Sequence, residues 1–60
     1  MKLKRFEVVE LSNGNKATIL DINNNEYYAE IVDNKGNTID NRNIKENEIT
    51  KVLIHKDRIR

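Results

Sequence analysis

Phe6-Glu7-Val8-Val9-Glu10-Leu11-Ser12-Asn13-Gly14-Asn15-Lys16-Ala17-Thr18-Ile19-Leu20-Asp21-Ile22 is the stretch that decides the fold. Its two flanks are rich in β-branched and other strand-forming residues, which fit a pleated backbone. Asn13-Gly14 separates them. Both residues tolerate positive φ, so the segment predicts a hairpin closed by a two-residue type I′ turn. Strand one is placed at 5–11, with Phe6 in the core, and strand two at 16–22.

The same reading carries along the rest of the chain. Asn23-Asn24-Asn25 is a second turn, because Asn adopts the left-handed region readily. Strand three covers 26–33. Tyr27, Ala29 and Ile31 alternate onto one face and Tyr28, Glu30 and Val32 onto the other. The set without a carboxylate is assigned to the core. Asp33-Asn34-Lys35-Gly36-Asn37 reads as a longer hairpin loop with Gly36 left-handed, followed by strand four at 38–41. Asn41 to Asn47 has only Ile44 as an apolar anchor and reads as an irregular connection. Glu46-Asn47-Glu48-Ile49-Thr50 reads as one helical turn. Strand five is placed at 51–56, with Val52 and Ile54 on one face and Leu53 and His55 on the other. No 3.6-residue periodicity persists long enough for a helix. The expectation is a single all-β domain over 1–60: a five-stranded antiparallel meander, curled into a partly open barrel so that it does not expose long flat edges.

Composition bounds the function classes. Sixty residues support one small core and marginal stability. There is no Cys and a single His, so neither a disulfide nor a metal knot is expected, and no cofactor is expected either. No apolar run reaches the length of a signal peptide core or a membrane span, which leads to the expectation of a soluble cytoplasmic protein without membrane contact. The abundance of Asn, Ile and Lys suggests AT-rich coding DNA, as in a low-GC bacterium, a phage or a plasmid. The net charge of +1 hides an uneven distribution. Residues 1–5 carry +3, residues 6–50 carry −5 and residues 51–60 carry +3.

Lys16-Ala17-Thr18-Ile19-Leu20-Asp21-Ile22 resembles the KOW pattern, in which a Lys-Gly pair precedes a V-x-x-I strand; Ala17 stands where that pattern has Gly. Tyr28 to Asp33, then Gly36 to Ile39, resemble the next strands of such domains. Ile49-x-x-Val52 resembles the turn and last strand of a Src-homology-3-like barrel. The resemblance covers about residues 6–54. It implies a five-stranded partly open barrel that binds RNA, ribosomal components, peptides or other proteins through loops and strand faces, and it implies no enzyme.

Chemistry-bearing constellations are sparse. Ser12 is the only Ser and His55 the only His, far apart in sequence, and no phosphate-cradling Gly-rich loop exists. The expectation is therefore a protein without a catalytic centre and without a small-molecule substrate. Two binding surfaces of opposite charge are expected instead. The acidic one would use Tyr28, Glu30, Val32, Asp21 and Glu26 to occupy a surface of a larger protein, since Tyr is favoured at interface centres. Further acids, Asp33, Asp40, Glu46 and Glu48, would add to its field. Such a module would be an accessory or inhibitory protein, for example a phage or mobile-element inhibitor of a host nuclease or defence system, an antitoxin or an immunity protein. The basic surface, as an alternative, would join the chain ends where the first and last strands of a barrel meet. Lys2, Lys4, Arg5, Lys56, Arg58 and Arg60, with Lys16 from the first hairpin, would contact nucleic-acid phosphates. Only Phe6, Tyr27 and Tyr28 could stack on bases, and with Phe6 assigned to the core the stacking platform is thin. Edge-to-edge association into a homo-oligomer is a third expectation.

Overall fold

The computed structural model describes residues 2–56. Five strands appear in chain order: β1 (Val8–Leu11), β2 (Lys16–Asn23), β3 (Glu26–Val32), β4 (Thr38–Lys45) and β5 (Ile49–Ile54). A 3-10 turn, Glu46–Glu48, precedes β5. All pairings are antiparallel, in the order β4-β3-β2-β1-β5. The described residues form an all-β fold of one five-stranded sheet, compatible with a small barrel. Its sheet is not closed, because β4 and β5 are edges that do not pair with each other.

The core follows from period-two alternation. Val9 and Leu11 of β1, Ala17 and Ile19 of β2, and Tyr27, Ala29 and Ile31 of β3 are all buried. Ile44, Ile49 and Leu3 complete the cluster, and Val52 packs against it. The assignment of Tyr27, Ala29 and Ile31 to the inner face holds.

Several local expectations are corrected. The first hairpin turns through three residues rather than two. Gly14 is left-handed (φ +95°) whereas Asn13 is not. The Gly14 amide donates to the Leu11 carbonyl at 2.9 Å, and the Leu11 amide to the Asn15 carbonyl at 2.8 Å. Asn13 instead closes an Asx turn, its Oδ1 accepting the Asn15 amide at 2.9 Å. The second hairpin puts Asn24 at φ +51°, as Asn permits. In the third, Gly36 is left-handed (φ +89°). Asp33 Oδ1 there accepts the amides of Lys35 and Asn37, both at 2.9 Å.

Strand four is longer than 38–41: it continues to Lys45, and Ile44 is fully buried opposite Tyr27. The helical turn is confined to Glu46–Glu48, and strand five starts at Ile49 and ends at Ile54. Strand one begins at Val8, not at residue 5. Phe6 is 58% exposed and so lies outside the core.

Bulges bend the sheet. The register skips Leu20 between Ile19 and Asp21 of β2, and Ile39 between Thr38 and Asp40 of β4. On β5 it skips Thr50 and Leu53. Each skip increases local twist and curls the strands around the small core.

Candidate interaction surface

The outer face of the sheet can be read row by row from the register. One row runs Ile54, Val8, Thr18, Glu30, Asn41 from β5 to β4. The next, toward the first hairpin, runs Lys51, Glu10, Lys16, Val32, Thr38. On the other side Asp21, Tyr28 and Asn43 stand in line, and beyond them Asn23, Glu26 and Lys45.

All five residues expected on the acidic surface therefore share this face. Tyr28 is 38% exposed, with Asp21 and Asn43 as its cross-strand neighbours. Glu30 and Val32 are half-buried on the same strand. The acidity is more local than the sequence suggests, because many carboxylates are engaged. Asp21 Oδ1 accepts from Arg5 Nη2 at 3.0 Å and from the Ile22 amide at 2.9 Å. The Arg5 bond, then that amide, hold the Asp21 carboxyl below its ordinary range. Glu30 accepts the Thr38 hydroxyl. Glu26 stands opposite Lys45 in the ladder. Asp33 is used inside its own turn, and the amides of Asn37, Lys35 and Gly36 lower its pKa. Glu48 pairs with Arg42 at 3.0 Å and accepts the Lys45 amide at 3.2 Å, and its pKa falls chiefly through Arg42.

The residues expected on the basic surface are only partly gathered. Arg5 is committed to Asp21. Lys16 lies on the outer face between Glu10 and Val32. Lys2 lines an open cleft of about 760 Å³ at one end of the sheet, with Ile22, Tyr27, Lys45 and Glu46. Burial and the Glu46 carboxylate push the Tyr27 phenol up. Arg58 and Arg60 lie outside the described residues. Lys4 and Lys56, in contrast, are drawn to one point by a residue the sequence reading did not single out. Glu7 is only 5% exposed. Its Oε1 accepts the Lys4 amide at 3.0 Å and its Oε2 accepts the Lys56 amide at 3.1 Å. Burial alone would raise its pKa, but the two amides, with the charges of His55 and Lys4, bring it below the ordinary value. The signal for Glu7 was present in the sequence: it alternates with Val9 and Leu11 onto the core face, and a carboxylate there needs partners.

Ser12 and His55 are not brought together. Ser12 follows Leu11, which pairs with Ile49, whereas His55 follows Ile54, which pairs with Val8. The length of β1 separates them. Among the described residues no group of three His, Asp or Glu side chains is placed to hold a metal ion. No helix among the described residues is long and apolar enough to cross a membrane. Comparison with known protein families, curated proteins and solved structures finds no match to this chain.

Proposed function

We propose that this chain is a non-catalytic protein-binding module that acts by occupying a surface of a larger partner, in the manner of an inhibitor, antitoxin or immunity protein. Its contact face is the outer side of β2 and β3, centred on Tyr28 with Asp21, Glu26, Glu30 and Val32 around it. The observation that carries this reading is the placement of Tyr28. It is an aromatic side chain with a polar tip, open to solvent at the centre of the β2-β3-β4 row, bordered by charged and amide side chains. That is the composition of an interface hot spot with a polar rim. The finer fold reading, a Src-homology-3-like barrel, rests on the strand order with β1 between β2 and β5 and on the 3-10 turn before the last strand.

The test is affinity capture from nuclease-treated lysate of the source cell, comparing the unaltered chain with Tyr28→Ala/Glu30→Lys. A specific protein should be retained by the former and lost by the double variant. Unchanged capture by the double variant would remove this face from the proposal.

A further inference from the structure

The turn before β1 presents an anomaly. Lys4 to Glu7 reverse the chain, with the Glu7 amide donating to the Lys4 carbonyl at 3.2 Å. Phe6 sits at the third position of that turn with φ +71°. A Cβ-bearing, bulky residue is strained there, where Gly or Asn would be relaxed. The strain is not compensated by burial, since Phe6 is the most exposed of the large apolar side chains described, at 58%.

The turn is nevertheless fastened on every side. Glu7 Oε1 accepts the Lys4 amide and Oε2 the Lys56 amide. The Phe6 amide donates to the Ile19 carbonyl at 2.6 Å, and Arg5 is tied to Asp21. An exposed aromatic is thus held rigidly outward at an energetic cost. Strain retained in an over-determined setting is the mark of a functional position, and a pre-organised anchor loses little freedom on binding.

The charges around it select a partner. Lys4 and Lys56 are exposed beside Phe6 in the chain fold. The Arg5–Asp21 pair then connects this cationic end to Tyr28, which Glu26 and Glu30 flank on the same strand, Glu26 opposite Lys45. The outer face carries both signs interleaved, with Lys16, Lys45 and Lys51 among Glu10, Glu26 and Glu30. A nucleic acid, uniformly anionic, cannot complement such a pattern, whereas a folded protein can match both signs.

We propose that Phe6 is the anchor of the contact face, seating in an apolar pocket of the partner protein whose rim carries carboxylates facing Lys4 and Lys56. This rests on the protein-binding reading above and names the chemistry of the partner.

The test joins two measurements. Phe6→Asn relieves the positive φ, so its melting temperature should rise by about 4 °C, while capture of the partner falls roughly tenfold or more. A photoreactive p-benzoylphenylalanine placed at position 6 should crosslink to that partner within an apolar site flanked by Asp or Glu. The same group at Ile39, exposed on the β4 edge, should not. A lowered melting temperature for Phe6→Asn, undiminished capture, or a crosslink to nucleic acid, to a second copy or to a site lacking carboxylates would each overturn the anchor. If Tyr28→Ala/Glu30→Lys abolishes capture while Phe6→Asn does not, the anchor falls and the protein-binding reading stands. If the unaltered chain captures nothing, both fall.

Discussion

Lys56 donates its backbone amide to Glu7 Oε2 at 3.1 Å across 49 positions of sequence, and this bond fastens the end of β5 to the turn that opens the chain. The other Glu7 oxygen takes the Lys4 amide. One buried carboxylate therefore joins the Lys4–Glu7 turn to the segment that follows β5.

Replacing Glu7 should destabilise the fold through its stranded amides. Glu7→Ala leaves two donors without their acceptor, and Glu7→Gln keeps one good acceptor oxygen. We expect losses of about 1–3 kcal/mol, larger for Ala than for Gln. Urea unfolding reads the order, and hydrogen exchange should show lost protection at Lys4 and Lys56 before the core strands open.

Glu7 also sets an acid limit. Its folded pKa lies below the ordinary value of 4.5. A depressed carboxyl contributes stability that is present above the unfolded pKa and lost as pH falls through the folded one. Asp21, Asp33 and Glu48 are shifted in the same direction. The urea midpoint should therefore hold from neutral pH down to the ordinary carboxylate range and then fall. Glu7→Gln should show a lower midpoint at neutral pH and a shallower acid decline.

Ile44 tests the extent of β4. It is fully buried against the inner face. Ile44→Ala should cost about 2–5 kcal/mol, comparable with the whole net stability of a domain this size. A variant that lost less than about 1 kcal/mol in chemical unfolding would place Ile44 in a solvated connection instead.

The β4 edge carries its own protection. The Asn41 amide is taken by Asp40 Oδ1 at 2.8 Å, the Asn43 carbonyl by Arg42 Nη1 at 3.1 Å, and the Lys45 amide by Glu48 Oε2 at 3.2 Å. These alternate positions share one side of the strand, so side chains occupy groups that a neighbouring strand would use. Asp40→Ala/Arg42→Ala/Glu48→Ala should gain concentration-dependent association in sedimentation velocity. The unaltered edge should show none through β4.

The hairpins were legible because their signals are local. Asn-Gly, the Asn run and Asp33 with Gly36 each act within a few residues. Alternation likewise sorted Tyr27, Ala29 and Ile31 from Tyr28, Glu30 and Val32 without knowledge of any partner. The second half of β4 was not legible: Asn41-Arg42-Asn43 has little strand propensity of its own and is ordered by pairing with Glu30, Ala29 and Tyr28. The bulges at Leu20, Ile39, Thr50 and Leu53 depend on register between strands, which no single segment encodes.

The sequence by itself determined an all-β chain, its turns and most of its inner face, because the side-chain period of a strand and the φ tolerance of Asn and Gly are properties of short segments. Only the tertiary structure decided where Phe6 stands and what satisfies Glu7. By composition Phe6 belonged inside, and alternation with Val9 and Leu11 turned Glu7 inward without naming its partners. The turn bonds to Ile19, Asp21 and Lys56 reverse the Phe6 assignment, since a buried carboxylate with two amide donors holds the chain in a conformation that Phe6 would not adopt alone.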